Sequence, residues 1–295
     1  MKKTVFTGAG VALVTPFLPD GSINYPKLKE LIEWQIASGT DSIITCGTTG
    51  ESATMTDKEH VDVIKFTVDT VAGRVPVVAG AGSNDTAYAV NLSKEAAALG
   101  ADALLQVTPY YNKASQRGLY QHFAAIADAT DLPVILYNVP SRTGTNIALD
   151  TYLKLSEHPN IVATKEASGD ISAIAKIFAA CGDKLDVYSG NDDQIVPIMA
   201  LGGKGVISVL SNVLPKQTHE ICAAFLAGDT QKSAQLQLHY LALANALFMD
   251  VNPIPVKDAL NLMGKEVGGC RLPLCPMDDA GQQKLAAVLR QYDLM

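Results

Sequence analysis

The hexapeptide IVATKE (Ile161–Glu166) joins small and β-branched residues to a single lysine near its end. Because both of its faces are apolar, this run is typical of a buried parallel strand. Side chains alternate along a strand, so we expect Ile161, Ala163 and Lys165 on one face and Glu166 on the other. The strand therefore presents an amine at its carboxyl end, and no adjacent acid obviously pairs with it.

Lys165 has two interpretations. Burial disfavours the charged ammonium, and the resulting free amine could attack a ketone and form a Schiff base. Alternatively, Lys165 extends to the rim of the fold or meets an acid from elsewhere in the chain. The hexapeptide alone favours the second interpretation, and the remainder of the sequence reverses that preference.

Residues 1–229 repeat one pattern, in which a short apolar run is followed by a helical segment. The predicted strands are Gly10–Thr15, Ser42–Cys46, Val75–Ala79, Ala103–Val107, Pro133–Tyr137, Ile161–Lys165, Leu185–Tyr188 and Gly205–Val209. The predicted helices are Tyr25–Ser38, Asp57–Ala72, Asn84–Leu99, Ser115–Ala129, Leu149–Ser156, Ile171–Ala180, Ile195–Leu201 and Leu214–Ala227. Eight such units over about 225 residues predict an α/β fold, a (β/α)8 TIM barrel. A doubly wound sheet is the competing architecture, but it needs edge strands, and all eight runs are expected to be buried.

The alternation stops near residue 230, and the remaining sequence is helical. Three helices are predicted there, over Thr230–Phe248, Pro253–Met263 and Asp278–Tyr292, with an extended link at Arg271–Pro276. We therefore expect a barrel over residues 1–229 and a helical appendage over 230–295. No linker is long or polar enough for an independent domain, so the appendage should pack on the barrel or form an oligomer interface.

Composition excludes several classes of function. A net charge of −7, without a basic run, argues against nucleic acid or an anionic membrane as partner. No apolar run is long enough to span a bilayer, and the first residues lack the form of a signal peptide. Five scattered cysteines without a CxxC pair indicate reduced thiols and a cytoplasmic location. Five widely separated histidines lack metal-ligand spacing, and we predict neither a metal nor a cofactor.

Polar groups follow the predicted strands at their carboxyl ends, where barrel enzymes carry their chemistry. Each of them also has a structural interpretation, as a turn, a packed aromatic, a core tyrosine or a surface charge. Their convergence on one rim favours a shared site. The residues concerned are Thr48, Thr49, Tyr110, Tyr111, Tyr137, Arg142 and Lys165.

Three motifs carry a resemblance to a known family. Gly47-Thr48-Thr49-Gly50-Glu51, the segment YNVPSRTG (Tyr137–Gly144) and the Lys165 strand resemble the dihydrodipicolinate synthases. These enzymes are pyruvate-dependent class I aldolases, grouped with N-acetylneuraminate lyase. The resemblance covers essentially the whole chain, and Arg142 with the paired threonines is its most synthase-specific part.

The resemblance implies a reaction. Lys165 would form an imine with pyruvate, and the enamine would attack L-aspartate 4-semialdehyde to give 4-hydroxy-tetrahydrodipicolinate, the first committed step of lysine biosynthesis through diaminopimelate. Tyr137 matches the family's acid/base tyrosine, and Thr48 links it to Tyr111. In the family that second tyrosine reaches the neighbouring active site of a tight dimer, so a homotetramer of such dimers is expected. A relay suits a phenol, which releases a proton reluctantly at neutral pH.

The resemblance also implies binding residues. Arg142 would hold the carboxylate of the semialdehyde, which a planar guanidinium fork suits. Thr49 would join Thr48 in holding the pyruvate carboxylate. Gly190 and Ile207 match positions that contribute backbone groups to the site.

A regulatory site is implied more weakly. Some family members bind L-lysine at the dimer interface as a feedback inhibitor. Asp57 stands where inhibited members often carry a basic or polar side chain, and Tyr88 replaces a glutamate that would meet the amines of the ligand. Losing that charge-assisted contact costs about 1.5–3 kcal/mol, so we expect weak or absent inhibition. Other residues match the site, namely Ser52, Ala53, His60, Asn84 and Tyr110.

Two alternatives remain from the sequence. Another aldolase of the same group could cleave a sialic or keto-deoxy sugar acid, but Arg142 argues against it because a neutral polyol offers no carboxylate. A pyruvate-binding regulator or structural barrel would need neither a nucleophile nor a relay, yet the sequence retains both.

Overall fold

A closed barrel of eight parallel strands forms the centre of the protein. The computed structural model describes residues 2–295. Each strand pairs with the next in chain order, and β8 pairs with β1 to close the sheet. The predicted (β/α)8 barrel is confirmed. The strands are β1 Gly8–Ala12, β2 Ser42–Thr45, β3 Val77–Gly80, β4 Ala103–Val107, β5 Val134–Asn138, β6 Ile161–Glu166, β7 Asp186–Ser189 and β8 Gly205–Ser208.

The helices surround the barrel and continue beyond it. All eleven predicted helices are present, with ends that differ by at most two residues. The short α5 was not predicted. The helices are α1 Tyr25–Ala37, α2 Asp57–Val71, α3 Thr86–Ala98, α4 Gln116–Ala127, α5 Pro140–Thr143, α6 Leu149–Ser156, α7 Ile171–Cys181, α8 Ile195–Ala200, α9 Pro215–Leu226, α10 Thr230–Ala246, α11 Ile254–Leu262 and α12 Asp279–Arg290.

Local signals explain why the helix bounds were accessible from sequence. At the start of α2, the Thr56 hydroxyl accepts from the Glu59 N–H and the Glu59 carboxylate accepts from the Thr56 N–H. This capping box satisfies two amides that the helix leaves free. Gly39 and Gly100 follow α1 and α3 with φ of 91° and 88°, a left-handed conformation that glycine adopts without strain.

Strand β6 contains a bulge that its sequence does not indicate. Val134 pairs with Ile161 but Ile135 pairs with Ala163, so Val162 is an extra residue on β6. Val162 and Ala163 both pack inside the barrel, whereas Ile161 lies in the outer layer between the strands and the helices. The prediction that Ile161 shares a face with Lys165 is therefore wrong. The bulge reverses the alternation and turns Lys165 inward.

The core has an inner and an outer part. Side chains such as Ile44, Ile135 and Ile207 fill the barrel, while a larger cluster packs between strands and helices. Phe6, which precedes β1, stacks on Tyr188 with ring centroids 4.4 Å apart. Because the barrel interior is filled with side chains, the space for a ligand lies at the carboxyl ends of the strands.

The last three helices pack against the barrel and against one another. Helix α10 contacts α8 and α9, and α12 contacts α10 and α11. Lys257 of α11 is fully buried against the loop that follows β2. None of the helices in residues 2–295 combines the length and hydropathy that a membrane-spanning segment requires.

Candidate active site

Two adjoining cavities open at the carboxyl ends of the strands. The larger, of about 660 Å³, is lined by Lys165, Thr49 and Gly190 and is called the Lys165 cavity here. The smaller, of about 470 Å³, is lined by Thr48 and is called the Thr48 cavity. Tyr137, Arg142 and Asn252 line both, so the cavities meet at these side chains. The rim predicted from sequence thus encloses one continuous site.

Lys165 is a buried amine that faces Tyr137. The two residues are paired in register on β6 and β5, and they are 5% and 7% exposed. Lys165 Nζ lies 4.3 Å from the centroid of the Tyr137 ring. The ring face is the electron-rich side of the phenol and tolerates a nearby cation.

A second buried lysine shows what Lys165 lacks. Lys257 Nζ donates to Glu51 Oε1 at 2.7 Å and to two backbone carbonyls, of Thr15 and Gly269. Within residues 2–295, Lys165 Nζ forms neither an ion pair nor a hydrogen bond of this kind. The alternative that Lys165 meets an acid elsewhere is therefore not realised, and its amine points at the cavity with room for a carbonyl compound.

Asn252 links the substrate-binding candidates and was missed from the sequence. Its Nδ2 donates to Thr49 Oγ1 at 3.0 Å, and its backbone carbonyl accepts from Arg142 Nη2 at 3.0 Å. Because Thr49 Oγ1 accepts this bond, its own proton stays free to donate to a ligand. The buried Oδ1 of Asn252 has no partner among residues 2–295. No local motif marks Asn252, since its partner Thr49 lies 203 positions away.

Thr48 and Tyr111 are not brought together within one chain. Thr48 is half-buried on the cavity named after it. Tyr111 is 89% exposed, has a left-handed φ of 71°, and lines neither cavity. Its neighbour Tyr110 does line the Thr48 cavity. The side chain of Tyr111 therefore projects from the surface.

Gly190 lies on the wall of the Lys165 cavity, whereas Ile207 lies in the interior of the barrel. Gly190 lines the Lys165 cavity, and its N–H donates to the carbonyl of Glu166 at 2.6 Å. A Cβ at this position would lie 2.7 Å from the Ala167 Cβ and 2.9 Å from the Glu166 carbonyl oxygen, so no larger residue fits. Ile207 is fully buried on β8, in the interior cluster that contains Tyr137.

Asp192 is a second residue that sequence reasoning missed. It is buried after β7 and accepts from Ser208 Oγ at 2.5 Å and from the N–H groups of Val209 and Leu210. Burial raises the pKa of this carboxyl, while these hydrogen bonds and the positive charge of Lys165 oppose the rise. Asp192 thereby joins the ends of β7 and β8 beside the cavity.

Comparison with known proteins identifies the family. The model of the dihydrodipicolinate synthetase family matches residues 5–292. The chain belongs to this family. The resemblance expected from Thr48, Arg142 and Lys165 is confirmed.

Close relatives of this family cover the whole chain. Proteins named 4-hydroxy-tetrahydrodipicolinate synthase are 57% identical in Acetivibrio thermocellus, over 100% of both chains, and 59% identical in Lachnoclostridium phytofermentans, over 99% of both. A crystal structure of the chloride-inhibited dihydrodipicolinate synthase from Acinetobacter baumannii, complexed with pyruvate, superposes with a TM-score of 0.97. That enzyme is 46% identical, with coverage of 99% of this chain and 100% of its own.

The positions suggested by the family's regulatory site are only partly gathered. The Thr48 cavity is lined by Ser52, Ala53, His60, Tyr88 and Tyr110. Asn84 instead lines a separate cavity with His122, and its Nδ2 donates to the Tyr110 carbonyl at 3.2 Å.

Tyr88 forms a contact that a glutamate in its place could not. Its hydroxyl donates to Asp57 Oδ1 at 2.9 Å. Burial, together with the Asp57 carboxylate, raises the pKa of Tyr88 to about 12. Tyr88 and Asp57 are the two positions at which the sequence differs from the pattern expected of inhibited members, and they bind each other.

Proposed function

We propose that the protein condenses pyruvate with L-aspartate 4-semialdehyde, through a Schiff base on Lys165, to give 4-hydroxy-tetrahydrodipicolinate. The observation that carries this function is the buried amine of Lys165, which has no ion-pair partner among residues 2–295. It lies beside the Tyr137 ring, in a cavity that also presents Thr49 and Arg142. The activity matches the name shared by its 57% and 59% identical relatives.

The first steps use Lys165 and Tyr137. The neutral amine attacks C2 of pyruvate and forms a carbinolamine, which loses its hydroxyl as water when an acid supplies a proton. Tyr137 lies against Lys165 and is the candidate acid. Loss of a methyl proton from the resulting imine gives an enamine. The enamine carbon attacks the aldehyde, and the substrate amine then displaces the enzyme amine as the ring closes.

The remaining residues orient the two substrates. The free hydroxyl proton of Thr49 suits one oxygen of the pyruvate carboxylate, with Thr48 beside it. Arg142 is exposed at the mouth and is tied to the Asn252 carbonyl, which directs its guanidinium toward both cavities. Its fork would hold the carboxylate of the semialdehyde. Gly190 and Ile207 would contribute backbone groups.

The exposure of Tyr111 supports the proposal that the enzyme is an oligomer. A phenol that is 89% exposed and outside both cavities gains a role if it enters the Thr48 cavity of a neighbouring subunit, where it would complete a relay with Thr48 and Tyr137. Leu272 is also 81% exposed and offers apolar surface for such contact. The proposed assembly is a homotetramer of tight dimers in the cytoplasm.

The helical segment 230–295 is proposed to act as an appendage of a barrel domain formed by 1–229. It supplies Asn252 to the site and Lys257 to the loop that bears Thr48 and Thr49. L-Lysine is proposed to inhibit weakly or not at all, because Tyr88 and Asp57 bind each other where an inhibitor's amines would need a free carboxylate.

The function is tested by a condensation assay of pyruvate with each of two aldehydes, aspartate semialdehyde and N-acetylmannosamine, and by a cleavage assay with a keto-deoxy sugar acid. Aspartate semialdehyde is expected to support turnover, whereas N-acetylmannosamine and a keto-deoxy sugar acid, tested in the cleavage direction, are not. Borohydride with labelled pyruvate should trap an adduct on wild-type protein and on a Lys176→Ala control, which loses an exposed lysine. Lys165→Ala should not be trapped. Turnover with a sugar alone would refute the assignment of Arg142 to a carboxylate.

A further inference from the structure

Glu166 is a buried carboxylate directly behind the nucleophile. It is 1% exposed on the outer face of β6, and within residues 2–295 it forms no ion pair. Its Oε1 accepts from Tyr152 Oη at 2.5 Å and from Asn138 Nδ2 at 2.8 Å, while Oε2 accepts from Ser168 Oγ at 2.7 Å. These four residues form the Glu166 cluster. A buried carboxylate without a cation is stable only while its donors remain in place.

Asn138 can occupy the cluster in one orientation only. Its Nδ2 donates to both Glu166 Oε1 and Asn146 Oδ1, at 2.8 and 2.7 Å, and its Oδ1 accepts from the Ile147 N–H at 3.2 Å. Rotating the amide by 180° would place its oxygen against the carboxylate oxygen of Glu166. The position of the Glu166 side chain therefore fixes the end of β5.

Tyr152 connects the cluster to helix α6. It is 1% exposed, and burial together with the Glu166 carboxylate raises its pKa well above the usual value. The phenol consequently keeps its proton and acts as a donor to Glu166 throughout the neutral range. The cluster thus ties β6 to β5 and to α6 by charge-assisted hydrogen bonds.

The cluster mirrors the catalytic pair across the sheet. Tyr137 pairs with Lys165 on the inner face, and the next residues, Asn138 and Glu166, pair on the outer face. A shift of one residue would exchange the two faces. The bulge at Val162 interrupts the register at the start of this strand pair, so the pairing before it does not determine the pairing at the catalytic end.

We propose that Glu166 is a positioning residue for imine formation. By holding Asn138 and Tyr152, it keeps the ends of β6 and β5 in the one register that places Lys165 Nζ at the Tyr137 ring. This inference rests on the proposed reaction at Lys165. Glu166, which lies outside the cavity on the outer face of β6, would then change the rate of imine formation without contacting substrate.

The experiment measures the rate at which borohydride traps labelled pyruvate on five proteins, with melting temperature, kcat and KM recorded for each. They are the wild type, Glu166→Gln, Tyr152→Phe, the double variant of these two, and Ser233→Ala. Glu166→Gln keeps the shape of the side chain but places an NH2 group against the hydrogen-bond donors of the cluster. Trapping should slow by about tenfold, because a displacement of reacting groups by ~1 Å lowers the reaction rate by up to about a hundredfold. Tyr152→Phe removes one donor, and trapping should slow about threefold. Ser233→Ala is the control, because it loses the buried hydroxyl bond from Ser233 Oγ to the Ile221 carbonyl, on α10 and α9.

The outcomes separate positioning from general destabilisation. The proposal is supported if Glu166→Gln and Tyr152→Phe both slow trapping and lower kcat while Ser233→Ala changes neither quantity. The doubly substituted protein should then lose less than the product of the single effects, because both changes act on one cluster. Unchanged trapping in folded Glu166→Gln overturns the proposal, and if that variant does not fold, unchanged trapping in Tyr152→Phe does so. A wild-type protein that cannot be trapped refutes the reaction at Lys165 instead.

Discussion

Replacement of Lys257 by methionine should destabilise the protein far more than its position in the appendage suggests. Lys257 and Glu51 are each about 1% exposed in their side chains and lie 2.7 Å apart, Nζ to Oε1. The ammonium also donates to the carbonyls of Thr15 and Gly269, so all three of its protons are bound. Burial lowers the pKa of Lys257 and the Glu51 carboxylate opposes this, which couples the charged state of the lysine to its partner.

The magnitude follows from what remains after the change. Lys257→Met leaves Glu51 buried without its cation, although its Oε2 still accepts from the N–H of Arg271, at 3.0 Å. An uncompensated buried charge of this kind costs about 3–5 kcal/mol. Glu51→Gln combined with Lys257→Met removes both charges while Gln can still accept from Arg271, so we expect a cost of only about 1–2 kcal/mol.

Denaturant unfolding of the wild type, both single variants and the double variant measures this coupling as a double-mutant cycle. Exposed Lys176 supplies the matched control, Lys176→Met, which should change the free energy of unfolding by less than ~0.5 kcal/mol. Because Glu51 follows the loop with Thr48 and Thr49, Lys257→Met should also raise KM for pyruvate. A single-variant loss below about 1 kcal/mol, or strictly additive losses in the double variant, would show that the ion pair does not join the appendage to the loop.

Three further predictions concern the relay, regulation and pH. Tyr111→Phe should lower kcat by about 100-fold yet leave pyruvate trapping intact. Oligomers that contain both Tyr111→Phe and Lys165→Ala chains should regain activity. If they are no more active than a mixture whose subunits have not exchanged, the two chains do not share a site. Wild-type protein should keep its activity at sub-millimolar L-lysine, whereas Tyr88→Glu should become inhibited and the control Tyr88→Phe should not; equal inhibition constants in all three would contradict the role of Tyr88. Burial lowers the pKa of His122 from 6.5 to about 4, so the unfolded chain binds a proton at this residue more readily than the folded protein. The free energy of unfolding should therefore fall as pH drops from 6.5 toward 4, by about 1–2 kcal/mol at pH 5. His122→Gln should flatten this profile in thermal unfolding, and an unchanged slope would exclude His122 as its source.

Much of the fold could be predicted because its signals are local. The capping box of Thr56 and Glu59 opens α2, and the left-handed glycines Gly39 and Gly100 follow α1 and α3, so each signal acts within one turn of a helix end. Strand β1 was less accessible. It was predicted at Gly10–Thr15 but runs from Gly8 to Ala12, because its apolar run continues past the point where pairing with β2 and β8 ends.

The candidate site divides in the same way. Residues that follow the strands, such as Thr49, Tyr137 and Lys165, converge because the carboxyl ends of parallel strands meet at one rim. Asn84 was grouped by resemblance with Ser52, Ala53, His60 and Tyr110 as a possible regulatory site, but those four line the Thr48 cavity and Asn84 lines a different one. Asn252 could not be inferred, since its contact with Thr49 depends on how the appendage packs.

The sequence by itself determined that an apolar strand carries a lysine to the rim of an eight-stranded barrel, because hydrophobic periodicity, caps and turns act over a few residues. Only the tertiary structure decided which buried lysine is paired with a carboxylate. Lys257 forms an ion pair with Glu51, 206 positions away, whereas Lys165 is turned inward by the bulge at Val162 and forms no ion pair with any of residues 2–295. Charge pairing in a low-dielectric interior depends on distances between remote segments, and these arise only when the chain is packed.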